Sequence, residues 1–204
     1  MFITLEGTEG VGKSSNLAFI QNWLINRGKQ LVVTREPGGT PFAEEIRQLL
    51  LAPRQEQVSD DAELLLMFAA RAQHVAQKIR PALQNGFVVL SDRFVDASYA
   101  YQGGGRGISM QRLDALSQWT LQGFLPDLTF LLDMAPAEAL ERAKKRGDLD
   151  RFEQEQQAFF ERVRNVYLQR AKADPKRIVV INAAQTLEQV QQDIAHVLEQ
   201  RVPK

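Results

Sequence analysis

The sequence predicts an α/β fold in which a parallel sheet of five strands is covered by helices on both faces. Short runs rich in Val, Ile, Leu and Phe do not alternate with polar residues, which is typical of strands buried on both faces. Segments with helical periodicity lie between these runs, and such alternation favours right-handed βαβ units. The predicted strands are Phe2–Leu5, Leu31–Thr34, Phe87–Ser91, Leu128–Asp133 and Ile178–Asn182.

Two of the predicted helical segments, one after the first strand and one after the last, carry apolar side chains at the spacing of one helix face. Such a stripe is expected to pack on the sheet. The predicted stripes are Leu17, Ile20 and Leu24 after the first strand, and Leu187, Val190, Ile194 and Val197 near the end of the chain.

Length and composition predict one globular domain over residues 1–204. The 25 basic residues balance the 25 acidic ones, so no overall charge favours nucleic acid or a membrane surface as a partner. Cysteine is absent, which excludes disulfides and thiolate metal sites. The first residues do not resemble a signal peptide, and the longest apolar run, Leu64–Ala70, is too short to span a bilayer. We therefore expect a cytoplasmic protein.

The loop after the first predicted strand matches the Walker A pattern, with Gly7, four further residues, and then Gly12, Lys13 and Ser14. Glycines let several backbone N–H groups point at one anion, and the start of the following helix adds positive potential. Lys13 is expected to reach the terminal phosphates of ATP, and Ser14 to ligate Mg²⁺. The residues predicted to bind ATP here are Gly7, Thr8, Glu9, Gly10, Val11, Gly12, Lys13, Ser14 and Ser15.

The ends of two further strands favour a small kinase over a GTPase switch. Asp92 and Arg93 follow the third predicted strand, where a carboxylate can hold the hydration shell of Mg²⁺ and an arginine can grip a phosphate. A charged turn, Arg35–Thr40, follows the second strand. The nearest string to the guanine-reading Asn-Lys-x-Asp motif is Ala171–Asp174, which lacks the asparagine.

Several motifs together resemble the bacterial thymidylate kinase family over essentially the whole chain. The resemblance implies a P-loop NTPase fold of the nucleoside-monophosphate-kinase type, the reaction of ATP with dTMP to give ADP and dTDP in the presence of Mg²⁺, and a homodimer. A deoxynucleoside kinase acting on thymidine and a non-enzymatic nucleotide-binding switch remain the alternatives. The motifs are Glu9 within the P-loop, REPGGT at Arg35–Thr40, FAARAQH at Phe68–His74, DRF at Asp92–Phe94, AYQGGGRG at Ala100–Gly107, PDLT at Pro126–Thr129 and RGDLDRFE at 146–153.

The resemblance also implies roles in binding dTMP. Phe68 would stack on thymine, and Arg71, on the same helix face by its spacing, would donate to a thymine carbonyl. Tyr101 would pack below the sugar and disfavour a ribose 2′-OH. Arg93 would bind the acceptor phosphate, with Arg35 and Arg47 as weaker candidates. Gln102 carries an acceptor and a donor that could read the base edge. The full predicted set is Glu9, Glu36, Pro37, Arg47, Phe68, Arg71, Arg93, Ser98, Tyr101 and Gln102.

A basic segment at about 142–152 is predicted to form a mobile lid over the phosphates, because Gly147 interrupts an otherwise helical charge run. Members of the family carry an arginine either in the P-loop or in the lid. Position 10 is glycine, so the lid type is expected, with Arg146 or Arg151 beside the transferred phosphoryl group. The resemblance also implies that Arg142 lies near the adenine, together with the loop at Asn182–Gln185. Lys13, Arg93, Arg146 and Arg151 are thus the predicted catalytic residues.

Overall fold

The computed structural model describes residues 1–144 and 155–203. These residues form a five-stranded, all-parallel sheet with the strand order β2-β3-β1-β4-β5, which confirms the predicted fold class. Each predicted strand is present, with its ends displaced by one residue at most. The strands are β1 (Phe2–Glu6), β2 (Leu31–Arg35), β3 (Val88–Asp92), β4 (Leu128–Asp133) and β5 (Ile178–Asn182).

The helices of the described residues are α1 (Lys13–Ile25), α2 (Pro41–Leu51), α3 (Asp60–His74), α4 (Arg80–Gln84), α5 (Val95–Ser98), α6 (Met110–Leu121), α7 (Pro136–Lys144), α8 (Gln157–Ala173) and α9 (Leu187–Arg201). Two wider, π-helical turns extend α3 and α5, at Val75–Ile79 and Tyr99–Gly105. The sequence pattern did not predict them.

Both faces of the sheet are covered by helices. Successive residues of β1 point to opposite faces of the sheet and pack in two different core clusters. Phe2 belongs to a core cluster with residues of α3, the Tyr99–Gly105 turn and α8. Ile3 packs in a second cluster with residues of α1 and α9. Within that second cluster Ile20 and Leu24 of the first predicted stripe are fully buried, whereas Leu17 is only partly buried.

The predicted stripe of α9 needs correction. Val190 and Ile194 are buried, but Leu187 is 46% exposed at the first position of the helix. Leu198 is fully buried, whereas Val197 is only partly so. The reason is geometric: residues four apart lie nearly in line along an α-helix, so the buried row continues from Ile194 to Leu198.

The sheet order places the functional motifs together. β1 lies between β3 and β4, and Leu5 of β1 pairs in register with Asp92 at the end of β3. Asp92 also pairs with Arg35 at the end of β2. The P-loop, the Asp92–Arg93 pair and the Arg35–Thr40 turn therefore leave the same edge of the sheet. None of the described helices combines the length and apolarity needed to cross a membrane.

Candidate active site

A cavity of about 410 Å³ opens at the carboxyl ends of β1, β2 and β3, where parallel α/β sheets bind their ligands. One end is formed by the P-loop and α7, through Glu9, Gly10, Gly12, Lys13, Ser14, Ser15 and Arg142. The other end is formed by residues from α2, α3, α5 and neighbouring turns, namely Glu36, Pro37, Arg47, Leu51, Met67, Arg71, Ala97, Ser98 and Gln102. Tyr101 lines the cavity between the two ends, within hydrogen-bond distance of Glu9. Asp92, Arg93 and Phe94 lie between the two ends.

The P-loop wraps around the Lys13 ammonium group. Lys13 Nζ donates hydrogen bonds to the carbonyl oxygens of Gly7 at 3.0 Å and Thr8 at 2.8 Å. Burial and the positive charge of Arg93 lower the pKa of Lys13 to about 8. The negative charges of Glu9, Asp92 and Glu6 act in the opposite direction but do not cancel this shift. A polyphosphate bound here would add negative charge beside Lys13 and favour its charged form. Gly7, Thr8 and Val11 do not themselves line the cavity, and Val11 is buried in the core.

Gly10 explains why the P-loop carries no arginine. Its φ of +80° lies in the left-handed region, and a Cβ at this position would stand 1.8 Å from the carbonyl oxygen of Ala139 in α7. No side chain fits while α7 packs on the loop. The predicted lid arginines, Arg146 and Arg151, fall within 145–154, outside the described residues, and so does most of the predicted lid.

Arg93, Glu9 and Tyr101 form a compact polar group in the middle of the cavity. Arg93 Nη2 donates to Glu9 Oε1 at 2.6 Å and to the Tyr101 hydroxyl at 3.0 Å, and Tyr101 donates to Glu9 Oε2 at 2.7 Å. Burial alone would raise the pKa of Glu9, but the charges of Arg93 and Lys13 outweigh it and lower that pKa. Arg93 has a φ of +69°, a conformation that costs about 1–3 kcal/mol in a non-glycine residue and is concentrated at functional sites.

Tyr167 and Glu6 form a second group of hydrogen-bonded side chains next to Arg93. The Tyr167 hydroxyl lies 3.3 Å from Arg93 Nη1 and donates to Glu6 Oε2 at 2.7 Å, while Glu6 Oε1 accepts the Phe94 backbone N–H at 2.7 Å. Burial, together with the negative charge of Asp96, raises the pKa of Glu6 to about 8. Neither residue was predicted from the sequence. Glu6 could have been predicted as a site residue, because it is a carboxylate at the end of an apolar strand. No feature of the sequence indicates that Tyr167 belongs to the site.

The residues predicted to hold Mg²⁺ fit such an ion. Asp92 Oδ1 is buried and has no hydrogen-bond partner among the described residues, and Asp92 lines the cavity together with Ser14. Mg²⁺ is commonly bound by one or two protein oxygens, with water and phosphate as its other ligands. A cluster of three or more His, Cys, Asp or Glu ligands is not found within residues 1–144 and 155–203.

At the far end, α3 presents Met67 and Arg71 to the cavity. Phe68 does not line it: the ring is 2% exposed and packs in the core. Phe68 and Arg71 do share a helix face, with the guanidinium carbon 4.8 Å from the ring centroid. The neighbouring residue Met67 lines the cavity instead, and nothing in the sequence marked it for this position. Stacking of thymine on Phe68 stays a prediction without support from this arrangement.

Glu36 holds Arg71 in place. Arg71 Nε donates to Glu36 Oε2 at 2.8 Å and Nη2 donates to the Phe94 carbonyl at 3.2 Å. The second Glu36 oxygen lies 3.0 Å from His74 Nδ1. Arg71 Nη1 has no partner among the described residues, so the guanidinium keeps one donor for a ligand. Glu36 is joined to Pro37 by a cis peptide bond.

The other predicted side chains divide into those at the cavity and one outside it. Ser98, Tyr101 and Gln102 all line the cavity. Arg47 lines it too and donates to the Pro37 carbonyl at 2.9 Å. Arg35 does not line the cavity, because it pairs with Glu44 on the exposed surface at 2.9 Å.

Arg142 connects the P-loop end with the loop after β5. Its Nη1 lies 3.3 Å from the Ala183 carbonyl, and its Nη2 donates to Glu138 at 2.6 Å. Ala183 belongs to the segment Asn182–Gln185 that the sequence analysis associated with adenine. The structure therefore brings together the two parts of the chain predicted to meet the base of ATP.

Comparison with known proteins agrees with this arrangement. The family model for thymidylate kinase matches residues 5–194. A thymidylate kinase of Pseudomonas putida (strain GB-1) is 59% identical over 194 residues, which is 95% of this chain and 92% of the relative. One of Hahella chejuensis (strain KCTC 2396) is 56% identical over 195 residues, 96% and 94% of the two chains. The crystal structure of thymidylate kinase from Ehrlichia chaffeensis superposes with a TM-score of 0.78 at 32% identity, covering 98% of each chain.

Proposed function

The chain belongs to the thymidylate kinase family, and on that premise we propose how its residues transfer the γ-phosphate of ATP to dTMP. It is a transferase of nucleotide biosynthesis. The observation that carries the proposal is the two-ended cavity, with the P-loop at one end, Met67, Arg71 and Gln102 at the other, and Arg93 between them.

The phosphates of ATP lie along the P-loop end in this proposal. Lys13 neutralises the terminal phosphates, and the adenine extends towards Arg142. Ser14 and Asp92 hold Mg²⁺, which when bound neutralises negative charge on the phosphates. The buried, unpartnered Asp92 Oδ1 is the observation that supports this assignment.

The acceptor dTMP lies with its phosphate at Arg93 and its base at the far end. Glu9 accepts the 3′-OH of the sugar and Tyr101, beside it, leaves no room for a ribose 2′-OH. Arg71 donates from Nη1 to a thymine carbonyl, and Met67 and Gln102 contact the base. The acceptor oxygen is ionised at neutral pH, so no general base is required.

The reaction is an in-line displacement. A phosphate oxygen of dTMP forms a bond to the γ-phosphorus of ATP as the bond from that phosphorus to the β,γ-bridging oxygen breaks, giving dTDP and ADP. Catalysis then consists of positioning and charge neutralisation by Lys13 and Arg93. Arg146 or Arg151 adds a cation from the lid, because Gly10 leaves no room for an arginine in the P-loop.

We also propose a homodimer that forms through α3 and α6. Arg112 of α6 pairs with Asp61 of α3 at 2.8 Å, so the two helices lie side by side. Leu65 on α3 is 56% exposed and Trp119 on α6 is 76% exposed, and large apolar side chains at such exposure are common at interfaces. Sedimentation of the wild type and of Trp119→Ser tests this: a dimer that the substitution weakens supports it, and a wild-type monomer contradicts it. The protein is expected in the cytoplasm, where its substrates are found.

ADP release measured by a coupled assay tests the proposed activity. The protein is supplied with ATP and Mg²⁺ and with dTMP, with thymidine, or without acceptor. We expect ADP release that depends on dTMP. Turnover of thymidine in preference to dTMP would indicate a deoxynucleoside kinase, and slow hydrolysis independent of any acceptor would indicate a nucleotide-binding switch.

A further inference from the structure

Glu63 lies behind the cavity wall and decides which atom of Gln102 faces a bound base. We propose that Glu63 is a positioning residue for the pyrimidine: it turns the Gln102 side chain so that the amide oxygen faces the cavity, and thereby favours thymine over cytosine. This inference rests on the proposed function and deepens it, since it names the feature of the base that the site reads.

The orientation of Gln102 follows from one hydrogen bond. Gln102 Nε2 donates to Glu63 Oε1 at 2.9 Å, and both side chains are buried, each 1% exposed. An ionised carboxylate can only accept, so the amide must turn its nitrogen towards Glu63. A buried amide is oriented by its hydrogen-bond network in this way. Because Gln102 also lines the cavity, the polar atom left for a ligand is Oε1, an acceptor.

Arg106 fixes the other half of the Glu63 carboxylate. Arg106 Nη2 lies 3.5 Å from Glu63 Oε2, and a guanidinium can only donate. Arg106 is itself held by Glu155 and by the ring of Phe159, whose centroid is 5.0 Å from the guanidinium carbon. Both oxygens of Glu63 therefore face donors, and an amide at position 63 could satisfy Arg106 only by turning its own nitrogen towards Gln102.

The bases differ at the atom in question. Thymine and uracil carry a hydrogen on N3 and donate there, whereas N3 of cytosine is an acceptor. An amide oxygen at Gln102 pairs with the first two bases and opposes the lone pair of the third. Arg71 adds to the same preference, because a donor at Nη1 suits a carbonyl oxygen at position 4 and not an amino group.

The test exchanges the two side chains. In Glu63→Gln the new amide nitrogen faces Gln102, which must turn its oxygen inwards and its nitrogen to the cavity. The double variant Glu63→Gln with Gln102→Glu keeps the net charge and returns an acceptor to the cavity. Asp61→Asn, in the same first turn of α3 but exposed, is the control for removing a negative charge. For each protein kcat/KM is measured with dTMP, dUMP and dCMP.

We expect Glu63→Gln to lower the ratio of kcat/KM for dTMP over dCMP by at least about tenfold, because one buried polar group would then lack a matching hydrogen-bond partner on dTMP. The ratio of dTMP over dUMP should stay within about twofold, because both bases carry the N3 hydrogen. The double variant should regain the preference for dTMP over dCMP, and Asp61→Asn should keep the wild-type ratios.

Three results would overturn the inference. The first is an unchanged ratio of dTMP over dCMP in folded Glu63→Gln, and the second is an equal loss for all three substrates that the double variant does not repair. If Glu63→Gln does not fold, the double variant decides alone, and its failure to prefer dTMP over dCMP is the third. A wild-type protein inactive with dTMP would instead reject the proposed function.

Discussion

The buried carboxyl of Glu6 predicts a specific dependence of stability on pH. Glu6 lies under Arg93 at the base of the P-loop, fully buried, with hydrogen bonds to Tyr167 and to the Phe94 N–H. Burial and the charge of Asp96 raise its pKa from 4.5 to about 8. Replacing it by glutamine keeps the shape of the side chain and removes the titration.

The size of the effect follows from linkage. Below pH 4.5 Glu6 is protonated in both states and its contribution to stability is fully present. Between pH 4.5 and 8 the unfolded chain has lost a proton that the folded protein keeps, so the free energy of unfolding falls by about 1.4 kcal/mol per pH unit. Between pH 5.5 and 7.5 the loss due to Glu6 amounts to about 2–3 kcal/mol.

Urea unfolding at pH 5.5, 6.5 and 7.5 measures this directly. The free energy of unfolding of Glu6→Gln, minus that of the wild type, should rise by about 2–3 kcal/mol across the range. Glu188→Gln, which removes an exposed glutamate at the start of α9, is the control for the loss of a carboxylate from the surface. If the difference between Glu6→Gln and the wild type stays constant from pH 5.5 to 7.5, Glu6 is ionised in the folded protein and the predicted dependence is wrong.

Substitutions at four positions, two in the P-loop and two in the predicted lid, give further predictions. Lys13→Ala should abolish ADP release while dTMP binding by calorimetry persists; loss of both would indicate misfolding. Gly10→Arg should lower the melting temperature, because its side chain must displace the Ala139 carbonyl; an unchanged melting temperature would show that α7 yields without cost. Arg146→Ala or Arg151→Ala should lower kcat more than it raises KM for dTMP, by about 10³-fold for the residue that contacts the phosphoryl group; no change in either variant would reject the lid assignment.

The strands were predictable because strands buried on both faces need continuous apolar runs. Short runs of this kind between helical segments, such as Leu128–Asp133, therefore indicate buried strands. The π-helical turn Tyr99–Gly105 was not. Its close packing against α8 depends on tertiary contacts: a Cβ on Gly105 would stand 2.4 Å from the Phe159 ring. Local sequence propensity cannot predict this packing, because α8 lies more than fifty residues further along the chain.

The candidate site was predictable where a motif fixes the backbone, as in the P-loop and at Asp92–Arg93. The site was harder to predict on α3. Helical spacing placed Phe68 and Arg71 on one face of that helix, but spacing alone does not show which residues of the face pack in the core and which line the cavity. Met67 lies one residue away and faces the cavity instead. Glu63 had a usable signal, a charged residue on a mostly apolar helix face, but its partner Gln102 lies on another element.

A crystal structure with dTMP and a non-hydrolysable ATP analogue would show whether the two nucleotides occupy the two ends of the cavity. We expect the dTMP phosphate to bind Arg93 and its base to lie against Met67 and Gln102. The triphosphate should lie on the P-loop around Lys13, with the acceptor oxygen in line with the γ-phosphorus. If dTMP binds outside the cavity, or with its base at the P-loop, the proposed arrangement of substrates is wrong.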